Sequence, residues 1–271
     1  MEKLMTRSSN WRSIFNGTNL KIFAAILMLG DHIYEFWYST GNFMLLHMLG
    51  RMVFPIFLFL SAEGFHYTKS KKGYIIRMLI AGIAMTVISM TVTELFPNDN
   101  IVFANNAFKT FCTVAVYMLA WDYIKDGIKT KKVKEIFKGI GISLIPIVVM
   151  VFINMIIMLT AKDGIVPDGY RILLMILMSF PNLMVEGGAA MVLLGLLFYI
   201  FRENRIIQVL VLVALSVFVY IINKNSVQWM MVFAAIPMLL YNGEKGRGLK
   251  SFFYIYYPVH LVILYLIATF I

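Results

Sequence analysis

Cysteine is nearly absent from this sequence: its 271 residues include one, Cys112. A single thiol excludes an intramolecular disulfide and any CxxC or multi-cysteine metal site. Histidine is almost as scarce. The four present fall in no H-x3-H or HExxH spacing, so no metal cofactor is implied. Charged residues make up only 14%, and acids are fewer than bases, 14 against 24. The first nineteen residues, "MEKLMTRSSNWRSIFNGTN", contain no apolar signal-peptide core, which predicts that the first span is itself the insertion signal. No low-complexity segment, convincing repeat or inverted repeat is present.

Apolar residues take up the space that charge vacates. The chain is 61% hydrophobic, with a mean hydropathy of +0.81, and no water-soluble fold needs that much apolar surface. A net charge of +10 would suit nucleic acid, but the bases collect in short loops between apolar runs. That is the footprint of membrane topology, with attraction to anionic lipid or phosphate ligands as a second reading.

The runs predict an all-α, polytopic transmembrane bundle. Segments are expected at 20–38, 43–65, 74–96, 106–124, 139–160, 206–222, 226–241 and 251–271, with a longer apolar region over 171–201. "SFPNLMVEGGAA" interrupts that region, which reads as a broken or re-entrant helix near 171–188 followed by a full span. The glycines and alanines at 187–190 read as close helix packing, since no strand precedes them as a phosphate loop requires. The count is about nine to ten membrane segments in a single domain, 20–271, behind a cytoplasmic arm, 1–19. The N-terminal arm, "HYTKSKKGYIIR", "KDGIKTKKVKEIFK", "RENR" and "NGEKGRGLK" hold nearly all the bases. "STGN", "PNDNIVFAN", "AKDGIVPDGY" and "NKNS" hold Lys162, Lys224 and, at the edge, Arg171. An N-in chain with nine crossings in the cytoplasmic membrane satisfies every basic loop, and ten crossings rank second.

Ionisable groups inside such spans are costly and mark a cavity or a partner. Asp31, His32, Glu35, Arg51, Glu63, Lys109, Glu186 and His260 all fall there. His32, Arg51, Lys109 and Glu186 share a level roughly 16 to 25 Å from the cytoplasmic ends of their spans, as if one polar well opened toward the cytoplasm. His47 is near the outer surface and is given no role. Lys21 and His32 are eleven residues apart. At ~100° per residue they share a helix face, about 16 Å apart along the axis. A cation at the rim above a buried histidine suits a ligand with phosphates outside and a reactive end inside, the shape of a CoA thioester. His32 then serves as general base, and Glu35, at i+3, is a better orienter than the adjacent Asp31.

"NLKIFAAILMLGDH", "LGRMVFPIFLFLSAEGFHYTKSKKGYIIRMLI" and "LLYNGEKGRG…FFYIYYPVHLVILYL" resemble the TraX family, whose founding member acetylates the N-terminus of a conjugative pilin subunit. The Lys-x10-His spacing of Lys21 and His32 is also similar to the Arg/Lys-x10-His motif of the acyltransferase-3 membrane proteins. The resemblance covers roughly residues 18 to 271. It implies that His32 is the essential histidine and Lys21 its basic partner. Asp31, Arg51, Glu63 and His260 match positions of the TraX pattern.

The candidate catalytic residues are therefore His32, Asp31, Glu35, Arg51 and His260. The candidate coenzyme-binding residues are Lys21, Glu63, His66, Lys69, Lys72 and Arg77. Each has a blander reading. Arg51 is either a counter-ion for Asp31 or a holder of an oxyanion or phosphate. Glu63 caps or snorkels at the start of a basic loop, and His66 with "KSKK" forms a solvated, lipid-facing patch. Lys109 and Glu186 pair to hold spans together. The expected function is an acetyl-CoA-dependent membrane acetyltransferase acting on an amine or hydroxyl of a peptide, protein or glycan. The alternative is a proton-coupled secondary transporter using the same groups.

Overall fold

The computed structural model describes residues 11–37, 43–161 and 167–271. Residues 1–10 of the basic arm, the "STGN" loop at 39–42 and Lys162 lie outside them. The described residues are helical and include no strand. Most elements coincide with the apolar runs, because in a solvent without hydrogen-bonding partners the helix satisfies its own backbone. They are α1 (Gly17–Phe36), α2 (Met44–Gly50), α3 (Val53–His66), α4 (Lys71–Leu95), α5 (Ala107–Thr130), α6 (Val133–Thr160), α7 (Asp168–Leu177), α8 (Gly188–Ile200), α9 (Arg205–Ile222), α10 (Ala235–Leu240) and α11 (Lys250–Phe270). Asparagine and serine caps start several of them. Asn16 accepts from the backbone N–H groups of Thr18 and Asn19, Ser70 from Gly73, and Asn204 from Ile207.

Among the described residues five helical stretches are long and apolar enough to cross a membrane: Met44–His66 (α2 with α3), α4, α6, α9 and Phe252–Phe270 within α11. The helices α1 and α5, of 20 and 24 residues, have the length but carry several charges each. Two expected full spans are shorter. The 226–241 run is a 3-10 segment, Val227–Ala234, continued by α10. The region 171–201 is broken as the sequence predicts, but α8 after the break has 13 residues, about 20 Å against the ~30 Å of a hydrocarbon core. The break turns on Gly187 and Gly188, whose φ angles of 76° and 64° lie in the left-handed region that favours glycine. A Cβ on Gly188 would meet nothing within 4 Å, so Gly188 serves the turn and not the close helix contact expected.

The chain divides into two compact units, Met1–Leu60 with Glu203–Leu264, and Ser61–Arg202 with Tyr265–Ile271. In the second unit α5 packs antiparallel against α4 and α6 and also contacts α8. Its broken segment is held by buried polar side chains. Thr86 meets Ser179 at 2.9 Å, Thr113 donates to the Asn182 carbonyl, and Thr110 donates to the Glu186 carbonyl. Asn182 ties its own turn through the Phe180 carbonyl and the Met184 N–H. Non-helical backbone is tolerated at membrane depth only with such partners. Outward on α6, Val148, Val151, Phe152, Met155 and Met158 are exposed, as a lipid solvent permits.

Candidate functional site

Successive residues on a helix point about 100° apart, so Asp31 and His32 leave α1 in different directions within the first unit. His32 turns toward α11. Its Nδ1 lies 2.8 Å from Nε2 of His260, and the two rings stack at 5.0 Å. His260 Nδ1 in turn lies 2.7 Å from the Tyr256 carbonyl. The side chains are buried, at 5% and 6% exposure.

That chain fixes the tautomers. A carbonyl only accepts, so His260 Nδ1 carries the hydrogen and donates to it. The neutral ring then has its lone pair on Nε2, which accepts from His32 Nδ1–H. The lone pair of His32 therefore sits on Nε2, at the open end of the chain, as a general base requires. Tyr256 stacks on His260 and donates through its hydroxyl to the Ala25 carbonyl of α1, clamping the two helices seven residues before His32. Tyr257 sets its edge against both imidazoles.

The expected orienter, Glu35, does not fill that role. Its Oε2 is 4.0 Å from His32 Nε2, beyond hydrogen-bond range, and its side chain is 46% exposed. His260, 228 residues away in sequence, orients the ring instead. Lys21 also meets α11, its ammonium 5.9 Å from the Phe253 ring centre. Lys21 and His32 thus address the same neighbouring helix, as their spacing predicts.

Asp31 turns the other way, toward α2 and the α2–α3 junction. Arg51 at that junction donates through Nη2 to the Asp31 carboxylate, through Nη1 to Gln228 at 3.0 Å and through Nε to the His47 carbonyl. His47 Nδ1 lies 3.0 Å from Asp31 Oδ1. Gly50 permits the approach, because a Cβ there would fall 2.3 Å from Asp31 Cγ. With all three of its nitrogens engaged by protein, Arg51 acts as the counter-ion of Asp31. His47 and Gln228 are members of this cluster that the sequence reading leaves without a role. The available signal was His47 at i−4 from Arg51, on one helix face.

The remaining candidates lie in the second unit. Glu63 and His66 are half-buried near the end of α3, while Lys69, Lys72 and Arg77 are exposed. The half-buried lysine of this run is Lys71. It bonds Asp122, whose two carboxylate oxygens also accept from the Tyr199 hydroxyl at 2.8 and 3.0 Å. Asp122, an acid inside 106–124, was the overlooked sign of this cluster. Glu186 accepts from the backbone N–H of Asn106 at 3.1 Å, and Lys109 lies half-buried in the first turn of α5. Among the described residues no group of three or more His, Cys, Asp or Glu could hold a metal ion.

The family model described as TraX protein matches residues 16–268. No curated protein and no solved structure matches the chain.

Proposed function

The chain belongs to the TraX family, and on that premise we propose that it is an integral membrane acetyltransferase that uses acetyl-CoA as co-substrate. The observation that carries the reading is the hydrogen-bond chain from the Tyr256 carbonyl through His260 to His32, which leaves His32 Nε2 as an oriented base. An acceptor amine or hydroxyl, on a peptide, protein or glycan, attacks the thioester carbonyl. His32 Nε2 takes its proton as the new C–N or C–O bond forms. As the C–S bond breaks, the same nitrogen returns a proton to the departing thiolate. His260 stabilises the transient imidazolium by accepting from Nδ1–H. Lys21 attracts the coenzyme's phosphates, and the exposed Lys69, Lys72 and Arg77 add to the field that draws polyanions to basic loops. Arg51 and Asp31 contribute by fixing α1 against the α2–α3 junction. We place the N-terminus in the cytoplasm, in the cell membrane, with nine crossings as the count the basic loops favour.

A second reading draws on the broken helix between α7 and α8, whose polar lining is of the kind that transporters use at their substrate sites. One experiment separates the two. Acetyl-CoA at ~100 times its dissociation constant stabilises a detergent-solubilised binder by roughly 2.7 kcal/mol. We expect a thermal shift in the wild type that Lys21→Ala loses and His32→Ala keeps. No shift with any acyl-CoA rejects the acetyltransferase and leaves the transporter.

A further inference from the structure

The chemistry proposed above uses the His32 face of α1 and gives the Asp31 face only a structural part. That face nonetheless carries a second oriented imidazole. Asp31 accepts from His47 at 3.0 Å, and a carboxylate cannot donate, so His47 Nδ1 bears the hydrogen and its lone pair is on Nε2. Tyr34 stacks on the ring at 4.2 Å and fixes its plane. Arg51 and the close approach of Gly50 fix the carboxylate. No other polar contact of the His47 ring occurs among the described residues. The side chain is 24% exposed, enough for a ligand atom to reach it. A histidine held by a carboxylate at one nitrogen and open at the other is the arrangement of an activated base.

We infer that His47, oriented by Asp31, is a second base of this unit, reached from a different side of α1 than His32, and that it deprotonates the acceptor on its way to His32, before attack. The inference rests on the acetyl-transfer reading and is motivated by proton count. An ammonium acceptor and an acetyl thioester give an amide, a thiol and one free proton. The first N–H proton passes to His47 Nε2 and on to solvent, leaving the amine lone pair for attack. The second passes through His32 Nε2 to the thiolate when the C–S bond breaks. A hydroxyl acceptor has only one proton to move and uses His32 alone.

The test uses the full-length protein in detergent, treated with diethylpyrocarbonate, with the modified histidines mapped by mass spectrometry. His47→Gln, whose amide N–H still donates to Asp31, is assayed beside it. We expect His47 to react ahead of the buried His32 and His260, and to slow in Asp31→Ala while His66 does not change. His47→Gln keeps the acetyl-CoA thermal shift and loses roughly 10²-fold in amine acetylation. An unreactive His47, or a His47→Gln variant of full activity, overturns the inference while the acetyl-transfer reading stands. Absence of the thermal shift in the wild type overturns both.

Discussion

In the unit of Met1–Leu60 and Glu203–Leu264, the polar chains on either side of α1 end in imidazole nitrogens that no side chain among the described residues hydrogen-bonds, His32 Nε2 and His47 Nε2. In the unit of Ser61–Arg202 and Tyr265–Ile271 two polar networks close on themselves. Lys71, Asp122 and Tyr199 close a triad, and Thr113 and Asn182 bond each other reciprocally. Both arrangements bury polar atoms in an apolar chain, but they answer different needs. A closed network satisfies every member it can and holds a broken helix in place. A chain with one open end leaves a base where a substrate can meet it. Chemistry is therefore sought where the satisfaction is deliberately incomplete, and stability where it is complete.

That contrast can be broken from either side. The largest effect is expected at the open chain: His32→Ala should lower acetyl transfer about 10²–10⁴-fold while leaving the thermal midpoint nearly unchanged. Next comes the closed network. Asn182→Ala strips the Met184 N–H and the Phe180 carbonyl of their side-chain partner, and should cost about 1–3 kcal/mol in denaturation without changing acetyl-CoA affinity. Thr113→Val, which removes one hydroxyl from the same network, should cost about 1 kcal/mol by the same measurement. The smallest effect is expected for Glu35→Gln. Its carboxylate stands 4.0 Å from His32, so the turnover rate should change by no more than a few-fold. A large loss there would restore Glu35 as the orienter.

Much of the fold is legible because an apolar run in lipid has few options but to be a helix. The segments over 74–96, 139–160 and 206–222 reappear as α4, α6 and α9. The departures occur where tertiary partners override the run. The 226–241 segment starts as a 3-10 turn capped by Ser226, and its Gln228 is drawn to Arg51. The α2–α3 junction falls at Arg51 itself, which no hydropathy window registers. In the site, His32 is legible because an ionisable group in hydrocarbon needs a reason, and Lys21 because its spacing sets it on the same face. The partner of His32 is not legible. Helical spacing offers Glu35 at i+3, whereas His260 reaches the ring from the last helix, a pairing that only the packing of α1 on α11 creates. The pairing of Asp31 with Arg51 is among the alternatives that the sequence offers, but the bond of Asp31 to His47 is not. Its neighbour in sequence is His32, but its neighbour in space is His47.

The central claim is that His260 and His32 form one relay. The most direct test is a double-mutant cycle on acetyl-transfer rate with His32→Ala, His260→Ala and the pair. Groups that act as a unit are strongly non-additive. The double variant should therefore be no slower than His32→Ala alone, with acetyl-CoA binding retained throughout. If the two losses multiply, the histidines act independently and the relay is wrong.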